Sequence, residues 1–489
     1  MKVLLIYPEV QSSVTNTATY SLPLGLGAIA TYCHQIFGNE MEVKILDGSM
    51  MVHHEQEMVL KEYQPDIVGF SPTIASMGNA YSLAKQAKEA GALVVFGGVN
   101  ATNLWHLMLA NRPFIDAVIL FEGEEAMVEI LRRWRAGFNG EKIFSNIANV
   151  AYRTHEAIVG PSKIRVFANL DELPDIDYSL FDLPHYFEQT EARGFGRAMS
   201  YYAGKGCTKR SCCRVVNEYA AADYSQQVQA MKTCSFCGRN ELGFRTLSAD
   251  RETALLRRLH DEQGVHGFFN IQDTVNLNCE DPIGIEDSWF RVFIGAESIT
   301  PPNIQRLKRR YGQHLIFQTG IESADPRIRR MMGKKEIDEA DIFTKVELLA
   351  RDNIQLHASF IFGGCGETIT SMTTTSRMIR RLADYPNVTW ILISPQIILP
   401  GSPDHYKLLE KEAMQDKWGN KDLIDITEIN QDFLRFFAPE LTRRKILETI
   451  GSIFADIRAK TPDRRLVLDI KGVVPEEEKT IAPRRYYCG

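Results

Sequence analysis

The sequence lacks any apolar run long enough to cross a membrane and any strong excess of one charge. No window approaches the ~20 apolar residues that a membrane-spanning helix requires. The 56 lysines and arginines are nearly balanced by 62 aspartates and glutamates, which leaves a net charge of −6. This balance argues against a basic nucleic-acid-binding protein and against attraction to an anionic membrane. We therefore expect neither nucleic acid nor a membrane as partner.

A secretion signal is also missing. The amino terminus MKVLLIYPEV has one lysine and a short apolar run that ends at Pro8, with no cleavage-site pattern. We expect a cytoplasmic protein, and in that compartment clustered cysteines are more often metal ligands or catalysts than disulfides. The 489 residues exceed one ordinary core, so two or three domains are expected.

Residues 1–145 alternate short apolar runs with helical segments. The predicted strands are KVLLIYP, MEVKILDG, DIVGFSP, ALVVFGG and DAVILFE. Continuous apolar strands separated by helices favour a doubly wound parallel sheet. Such sheets bind ligands beyond the carboxyl ends of their strands, where SPT (71–73), GGVNAT (97–102) and EGEE (122–125) lie.

The rest of the chain divides into three stretches. Residues 146–195, with Pro- and Asp-rich NLDELPDIDYSLFDLP, are a predicted linker. Residues 196–410 contain about six strand–helix units, which predict a partial (β/α)6 barrel with its chemistry at the strand carboxyl ends. Residues 411–489 are mixed and charged, and we expect a small α+β cap with an amphipathic helix at RRKILETIGSIFADIRAK. The predicted fold class is therefore α/β.

Five of the nine cysteines lie in one stretch, GKGCTKRSCCRVVNEYAAADYSQQVQAMKTCSFCGRN. Cys207 directly follows the first barrel strand, and Cys234 and Cys237 form a C-x-x-C pair. Three thiolates at the barrel mouth can hold three irons of a [4Fe–4S] cluster and leave the fourth iron open. The spacing also allows a four-thiolate zinc site that includes Cys212 or Cys213, or buried thiols with no ligand.

These motifs resemble those of cobalamin-dependent radical S-adenosylmethionine (SAM) enzymes over most of residues 1–410. KGC and CSFCGR match the two halves of that family's C-x-x-x-C-x-x-C loop, but 26 residues, 208–233, replace the usual three. The resemblance implies cluster ligands Cys207, Cys234 and Cys237, with either cysteine of the insertion as an alternative to the first. It makes residues 1–145 a Rossmann-like cobalamin-binding domain, 196–410 a radical SAM barrel and 411–489 a cap or substrate region.

Four further segments resemble motifs of the same family, in order: FNIQDTVN (269–276), QTGIESADPRIRRMMGK (318–334), FIFGGCGET (360–368) and LPGSPDHY (399–406). The resemblance implies that Glu322 hydrogen-bonds the ribose or amino group of SAM. A buried carboxylate needs a partner, so a structural salt bridge is the alternative. The implied SAM-binding residues are Gln272, Asp273, Glu322, Ser323, Gly364 and Gly366.

The N-terminal domain resembles the corrinoid-binding domains of that family in SLPLGLGAIATYC (21–33), SPT and GGVNAT. Small residues at the strand ends leave a slot for the nucleotide tail of cobalamin. The D-x-H-x-x-G motif that would place a histidine on cobalt is missing, so no histidine ligand is expected. An ordinary dinucleotide-type fold with another ligand or none is the alternative. The implied cobalamin-binding residues are Leu24, Gly25, Ser71, Thr73, Gly97, Gly98, Val99, Asn100, Glu122 and Gly123.

The resemblance implies a methyltransferase that uses a [4Fe–4S] cluster, SAM and cobalamin. It would methylate an unactivated carbon of a small molecule or peptide through methylcobalamin and a 5′-deoxyadenosyl radical, with an external flavodoxin- or ferredoxin-type reductant. The resemblance implies no particular catalytic side chain. A cyclase or ring-rearrangement enzyme with the same cofactors is the first alternative. A non-catalytic corrinoid-binding or zinc protein with a degenerate cluster site is the second.

Overall fold

The structure is a computed structural model that describes residues 1–10, 14–15, 21–210, 215–230, 233–239, 241–461, 466–470, 472–473 and 485–488. The candidate ligands Cys212 and Cys213 lie outside these residues. Within the described part of the chain, no helix has both the length and the apolar character needed to span a membrane.

The first sheet has five parallel strands in the order β3-β1-β4-β5-β6, extended by antiparallel β7 and β8. Alternate residues of a strand face opposite sides, so Leu4 and Ile6 pack into one hydrophobic cluster while Val3 and Leu5 pack into another. Helices therefore cover both faces, as predicted for a doubly wound sheet. The elements are β1 (Lys2–Tyr7), β2 (Val14–Thr15), α1 (Leu24–Phe37), β3 (Glu42–Asp47), α2 (His53–Tyr63), β4 (Ile67–Phe70), α3 (Met77–Glu89), β5 (Leu93–Phe96), α4 (Gly98–Asn111), β6 (Ala117–Ile119), α5 (Glu124–Arg135), β7 (Val150–Arg153), β8 (Ile158–Val159), β9 (Lys163–Arg165) and α6 (Leu183–Ala192).

The second sheet is an open barrel. Helices separate most of its strands; α8, for example, begins at an N-cap whose side chain accepts from the backbone N–H of Arg251 and ends at Gly264 in the left-handed conformation. The elements are β10 (Ala198–Tyr201), β11 (Gly204–Gly206), β12 (Glu218–Ala220), α7 (Ala221–Ala230), β13 (Phe244–Thr246), α8 (Ala249–Gln263), β14 (Gly267–Asn270), β15 (Trp289–Phe293), α9 (Pro301–Tyr311), β16 (Leu315–Glu322), α10 (Pro326–Met331), α11 (Glu339–Arg351), β17 (Gln355–Phe362), α12 (Ile369–Leu382) and β18 (Val388–Pro395).

The C-terminal region completes this sheet. Its strand order is β10-β14-β15-β16-β17-β18-β19-β21, parallel up to β19 and antiparallel at β21. The predicted fold class is confirmed, although the sequence did not indicate that β19 extends the barrel. The predicted domain boundaries stay predictions. The C-terminal elements are α13 (Pro403–Leu409), α14 (Glu412–Trp418), α15 (Ile426–Phe437), α16 (Arg443–Lys460), β19 (Leu466–Ile470), β20 (Gly472–Val473) and β21 (Arg485–Cys488).

The insertion of the cysteine loop packs against the stretch between the two sheets. Its strand β12 pairs antiparallel with β9, and Tyr219 and Tyr224 join a small apolar cluster with Ile164 and Val166. The Tyr224 ring also lies 4.5 Å, between centroids, from the ring of Phe121, which follows β6 of the first sheet. The insertion thus connects the two halves of the molecule.

Candidate functional site

Two adjoining cavities lie between the strand carboxyl ends of the first sheet and the barrel. The smaller, about 270 Å³, is called the Gly97 cavity after a residue of its lining. The larger, about 840 Å³, is called the His357 cavity. Residues from both halves of the chain line each of them. The two cavities share Ser71, Val99, Arg239, Ile271 and Asp273.

The structure brings all ten predicted cobalamin-binding residues to these cavities. The Gly97 cavity is lined by Leu24, Gly25, Ser71, Gly97, Gly98, Val99, Glu122 and Gly123. The His357 cavity adds Thr73 and Asn100, beside Ser71 and Val99. They meet because the ends of neighbouring parallel strands share one sheet edge. Their contact with cobalamin stays a prediction.

Two details of this edge suit a tightly inserted ligand. Gly98 has a φ of +85°, and a Cβ there would lie 2.8 Å from Ser71 Oγ, so only glycine fits without displacement. Asn100 is 7% exposed, and its Nδ2 has no hydrogen-bond partner among the described residues. A buried amide without a partner is costly, so a ligand that accepts a hydrogen bond from Asn100 would stabilise the site.

Glu122 forms a buried ion-pair network across the junction. Arg245 lies 2.6 Å and Lys205 3.7 Å from its carboxylate oxygens, and the backbone N–H of Phe167 donates to it at 2.8 Å. Burial would raise the pKa of Glu122, but the charges of Lys205 and Arg245 hold it below its ordinary value. The carboxylate of Glu122 therefore joins the first sheet to the antiparallel pair of β11 and β13, and Glu122 also lines the Gly97 cavity.

The three predicted cluster ligands lie around one turn and the end of β11. Cys207 Sγ lies 3.4 Å from Thr274 Oγ1, and Lys209 Nζ lies 3.2 Å from Cys234 Sγ. The backbone N–H of Cys237 donates to the carbonyl of Cys234 at 3.0 Å, which closes the C-x-x-C turn. All three cysteines are half-buried, and none of them forms a disulfide within the described residues.

The distances between the three cysteine sulfur atoms indicate whether they suit a single metal ion or a cluster. The three sulfur atoms all belong to the described part of the chain, and at least one pair of them is more than 4.8 Å apart. One zinc ion, with Zn–S bonds of about 2.3 Å, would need its thiolates about 3.8 Å apart. A cluster binds each thiolate to a different iron, so it accepts wider spacing. The arrangement therefore fits a cluster better than a single ion.

Positive charges surround the thiols. Arg239 forms a 3.1 Å ion pair with Asp273. The negative charge of Asp273 is the largest cause that raises the pKa of Arg239, and the thiolates of Cys237 and Cys207 also contribute. These two thiols therefore lie near the same guanidinium. Cations near thiols favour the thiolate form that binds metal.

Glu322 ends β16 in a strained conformation. Its φ is +65°, and the register of β16 against β17 shifts between Gly320 and Glu322. Its carboxylate forms a 2.9 Å ion pair with Lys334, so the predicted alternative of a salt bridge is present. Burial would lower the pKa of Lys334, but the charges of Glu322 and Cys234 raise it. Strained residues often belong to functional sites.

Gln272 and Asp273 both line the Gly97 cavity, and Asp273 also lines the His357 cavity. Gln272 is 2% exposed, and neither its side-chain oxygen nor its nitrogen has a hydrogen-bond partner among the described residues. These two residues lie beside the predicted cobalamin-binding residues. Their predicted contact with SAM stays a prediction.

The other predicted SAM-binding residues occupy the strand ends of β16 and β17. Ser323 is fully buried, and its hydroxyl lies 3.2 Å from Thr375 Oγ1, so its side chain packs inside the barrel wall. Gly364 and Gly366 belong to the loop after β17, where Gly366 has a φ of +74°. In the same loop, burial raises the pKa of Glu367 to about 8.

Several residues of the site were not predicted. Arg245 lies outside the quoted motifs and Lys205 belongs to KGC, and only the folded chain brings both to Glu122. His357 lies on a strand that was predicted from its apolar residues, and its polar side chain inside LHASFIFGG was the available signal.

Comparison with known proteins gives a family match for an N-terminal segment of the chain. The B12 binding domain family matches residues 13–131. An uncharacterised methyltransferase of Pyrococcus horikoshii is 27% identical over 410 residues, which cover 80% of each chain. The anaerobic magnesium-protoporphyrin IX monomethyl ester cyclase of Cereibacter sphaeroides is 25% identical over 342 residues, or 67% of this chain and 51% of the cyclase.

Most of the fold resembles that of a solved enzyme. The radical SAM methyltransferase TsrM from Kitasatospora setae, solved with cobalamin and a [4Fe–4S] cluster, superposes with a TM-score of 0.60 at 14% identity and covers 84% of this chain and 75% of its own. Its structure with tryptophan and a SAM analogue gives 0.61. The resemblance inferred from the motifs is confirmed: the chain has a B12-binding domain and the fold of a cobalamin-dependent radical SAM methyltransferase.

Proposed function

We propose that this protein is a cobalamin-dependent radical SAM enzyme that methylates an unactivated carbon of a small molecule or peptide. One observation carries the proposal. All ten residues predicted to hold cobalamin line two adjoining cavities, which share Arg239 and Asp273. Cys237 of the predicted cluster ligands and Gln272 and Asp273 of the predicted SAM-binding residues line the same cavities. Cofactors bound there would lie next to each other and to a common substrate.

The residues present fit the three cofactors. Cys207, Cys234 and Cys237 would hold the cluster, because their sulfur atoms are spaced too widely for one metal ion and lie near cations. The slot at Gly98 would admit the cobalamin tail, and the unpartnered amide of Asn100 supplies a donor. Gln272, Asp273, Glu322, Ser323, Gly364 and Gly366 would surround SAM.

The cluster, SAM and cobalamin supply the chemistry, namely hydrogen abstraction from an unreactive carbon and delivery of a methyl group. The protein's own residues align these groups and exclude water. Glu322 and Lys334 fix the end of β16 through their ion pair. Glu122, Arg245 and Lys205 hold the first sheet and the β11–β13 pair together at the cavity edge. An external one-electron reductant and a cytoplasmic location belong to the same proposal.

A cyclase or ring-rearrangement enzyme with the same cofactors is the second candidate. The observation in its favour is the 25% identity to the magnesium-protoporphyrin IX monomethyl ester cyclase. The methyltransferase reading leads because the relative that matches 80% of this chain is named a methyltransferase. The zinc alternative needs Cys212 or Cys213, which lie outside the described residues, and metal analysis tests it.

One turnover experiment separates these candidates. The protein, reconstituted with iron, sulfide and hydroxocobalamin, is reduced anaerobically with SAM, and the products are separated by chromatography. Both 5′-deoxyadenosine and S-adenosylhomocysteine are expected from a methyltransferase. The first product alone would favour the cyclase. Neither product would contradict both enzyme proposals.

A further inference from the structure

Two histidines and an aspartate meet on the surface of the barrel, away from both cavities. His260 lies in the last turn of α8, while His266 and Asp287 precede the strands β14 and β15. These strands are parallel, so residues that precede them share the amino-terminal edge of the sheet. The cavities lie at the opposite, carboxyl-terminal edge, and none of the three residues lines either cavity.

The three side chains are close enough to share one metal ion. His260 Nε2 lies 3.1 Å from Asp287 Oδ1, and His266 Nδ1 lies 3.0 Å from Asp287 Oδ2. Within the part of the chain that the structure describes, no other three His, Cys, Asp or Glu side chains have ligand atoms all within 4.8 Å of one another. Nitrogen and oxygen ligands of one tetrahedral zinc ion are about 3.4 Å apart. Small side-chain rotations would therefore admit an ion.

The backbone holds these residues together. Gly264 ends α8 in the left-handed conformation, and its N–H donates to the His260 carbonyl at 2.9 Å. The turn brings His266 back beside His260, with ring centroids 5.0 Å apart. The N–H of Trp289 donates to the His266 carbonyl at 2.9 Å, which fixes the chain just after Asp287. Because the three side chains already lie together, little ordering would be needed when an ion binds.

A fourth residue orients one of the histidines. Asp261 Oδ1 lies 2.9 Å from His260 Nδ1. Since an ionised carboxylate only accepts hydrogen bonds, this contact keeps a proton on Nδ1 and directs Nε2 toward Asp287. Carboxylates that orient histidine ligands in this way are a regular feature of zinc sites. The side chains of His260, His266 and Asp287 are 23%, 49% and 63% exposed, so an ion can enter from solvent.

We propose that His260, His266 and Asp287 bind one divalent transition-metal ion such as Zn²⁺ on the outside of the barrel. Two imidazoles and one carboxylate are ligands that zinc accepts, and a water molecule would complete the tetrahedron. The nearby sequence also favours a cation, because residues 259–266 and 283–290 contain four acids and no lysine or arginine. The ion would join the end of α8 to the start of β15. This site does not depend on the proposed function.

Zinc binding by the full chain tests the proposal. The protein, reconstituted with cluster and corrinoid, is dialysed against Zn²⁺ at slightly alkaline pH, where histidine is neutral, and the bound zinc per chain is measured. At a zinc concentration that fills the wild-type site, we expect one ion fewer in each of three variants, His260→Gln, His266→Gln and Asp287→Asn. Asp261→Asn should keep the site but bind zinc about tenfold more weakly.

The matched control is His54→Gln. His54 is also an exposed histidine in an ion pair, with Glu57, but within the described residues it belongs to no group of three ligands. This variant should bind as much zinc as the wild type. Corrinoid absorbance and iron content, read from the same samples, should be equal in all variants, because the site lies at the far end of the barrel. Asp287→Asn, which keeps the size of the side chain, decides the case if a histidine variant does not fold.

Two further measurements identify the ligands and the effect of the ion. X-ray absorption at the zinc edge should show nitrogen and oxygen ligands for the ion that His266→Gln loses. Saturating zinc should raise the thermal unfolding midpoint of the wild type more than that of His266→Gln. Equal zinc binding by the wild type and all three ligand variants would overturn the proposal, as would sulfur ligands to the ion that His266→Gln loses.

Discussion

The ends of β4 and β5 meet the two cavities with small side chains, whereas the barrel half meets them with an ion pair and a thiol. On the first side lie Gly97, Gly98 and Ser71. On the barrel side lie the Arg239–Asp273 pair and Cys237 of the cysteine loop. We expect the first surface to select a ligand by shape, because a single added carbon would meet Ser71. We expect the second surface to select by charge. Changes of volume should therefore damage the first side, and changes of charge or sulfur the second.

The largest effect is expected from the thiols. Cys207→Ala, Cys234→Ala and Cys237→Ala should each lose nearly all bound iron, because a cluster with two protein ligands is not held. Corrinoid binding should persist, since the first sheet is untouched. Iron analysis and corrinoid absorbance on reconstituted protein measure both. Cys279→Ala, at another half-buried thiol, is the control.

The insertion supplies a second comparison for this prediction. Cys212→Ala and Cys213→Ala should keep the cluster. If one of them loses iron while Cys207→Ala keeps it, the first ligand belongs to the insertion, and the assignment made here is wrong.

The next effect concerns the network that joins the two surfaces. Arg245→Met leaves the buried carboxylate of Glu122 with Lys205 as its one remaining cation in that network. Breaking a buried ion pair costs ~3–5 kcal/mol. Because Lys205 still compensates part of the charge, we expect the free energy of unfolding to fall by about 2–3 kcal/mol. Urea unfolding measures it. Lys163→Met breaks the exposed pair with Glu218 and should leave the midpoint of urea unfolding nearly unchanged.

The same network has a pH signature. The pKa of Glu122 is lower in the folded protein than in the unfolded chain. The ionised carboxylate therefore stabilises the fold above the ordinary glutamate pKa, about 4.3. This stabilisation is lost as the pH falls through the lower pKa of the folded protein. Arg245→Met should weaken this acid dependence. An unchanged pH profile of unfolding in Arg245→Met would contradict the network.

A smaller effect tests the selection by shape. Gly98→Ala should weaken hydroxocobalamin binding about tenfold, because its Cβ would lie 2.8 Å from Ser71 Oγ and displace the slot wall. Gly91→Ala is a matched control, since Gly91 also has a positive φ, +91°, but no atom lies within 4 Å of its Cβ. Both variants carry about 1 kcal/mol of backbone strain. Equal hydroxocobalamin affinities of Gly98→Ala and Gly91→Ala in an absorbance titration would contradict selection by shape.

The smallest effect tests the selection by charge. Lys209→Gln removes the cation 3.2 Å from Cys234 Sγ. The cluster should still assemble, but its reduction potential should fall on the order of 10–40 mV, since a half-buried charge that water still reaches contributes ~0.2–1 kcal/mol. An EPR-monitored redox titration measures the shift. Lys335→Gln, at a neighbouring exposed lysine, should leave the potential unchanged, and equal potentials in both variants would exclude the role of Lys209.

Local patterns predicted most of the fold. Apolar runs marked the five parallel strands of the first sheet and six barrel strands, and RRKILETIGSIFADIRAK coincides with α16. Strand ends also predicted the cavity residues, because parallel strands end at one edge. The pairing of β19 with β18 and the network of Glu122 with Arg245 were not predictable, since both join residues far apart in sequence. The packing of the insertion on β9 depends on the same kind of non-local contact.

The central claim is that a cysteine motif interrupted by 26 residues still holds a cluster beside a corrinoid. Anaerobic reconstitution followed by iron, zinc and corrinoid analysis, with Mössbauer spectroscopy of the iron, tests it most directly. The account predicts about four irons and one corrinoid per chain, with a [4Fe–4S] spectrum. Zinc in place of iron, or corrinoid without any cluster, would contradict it.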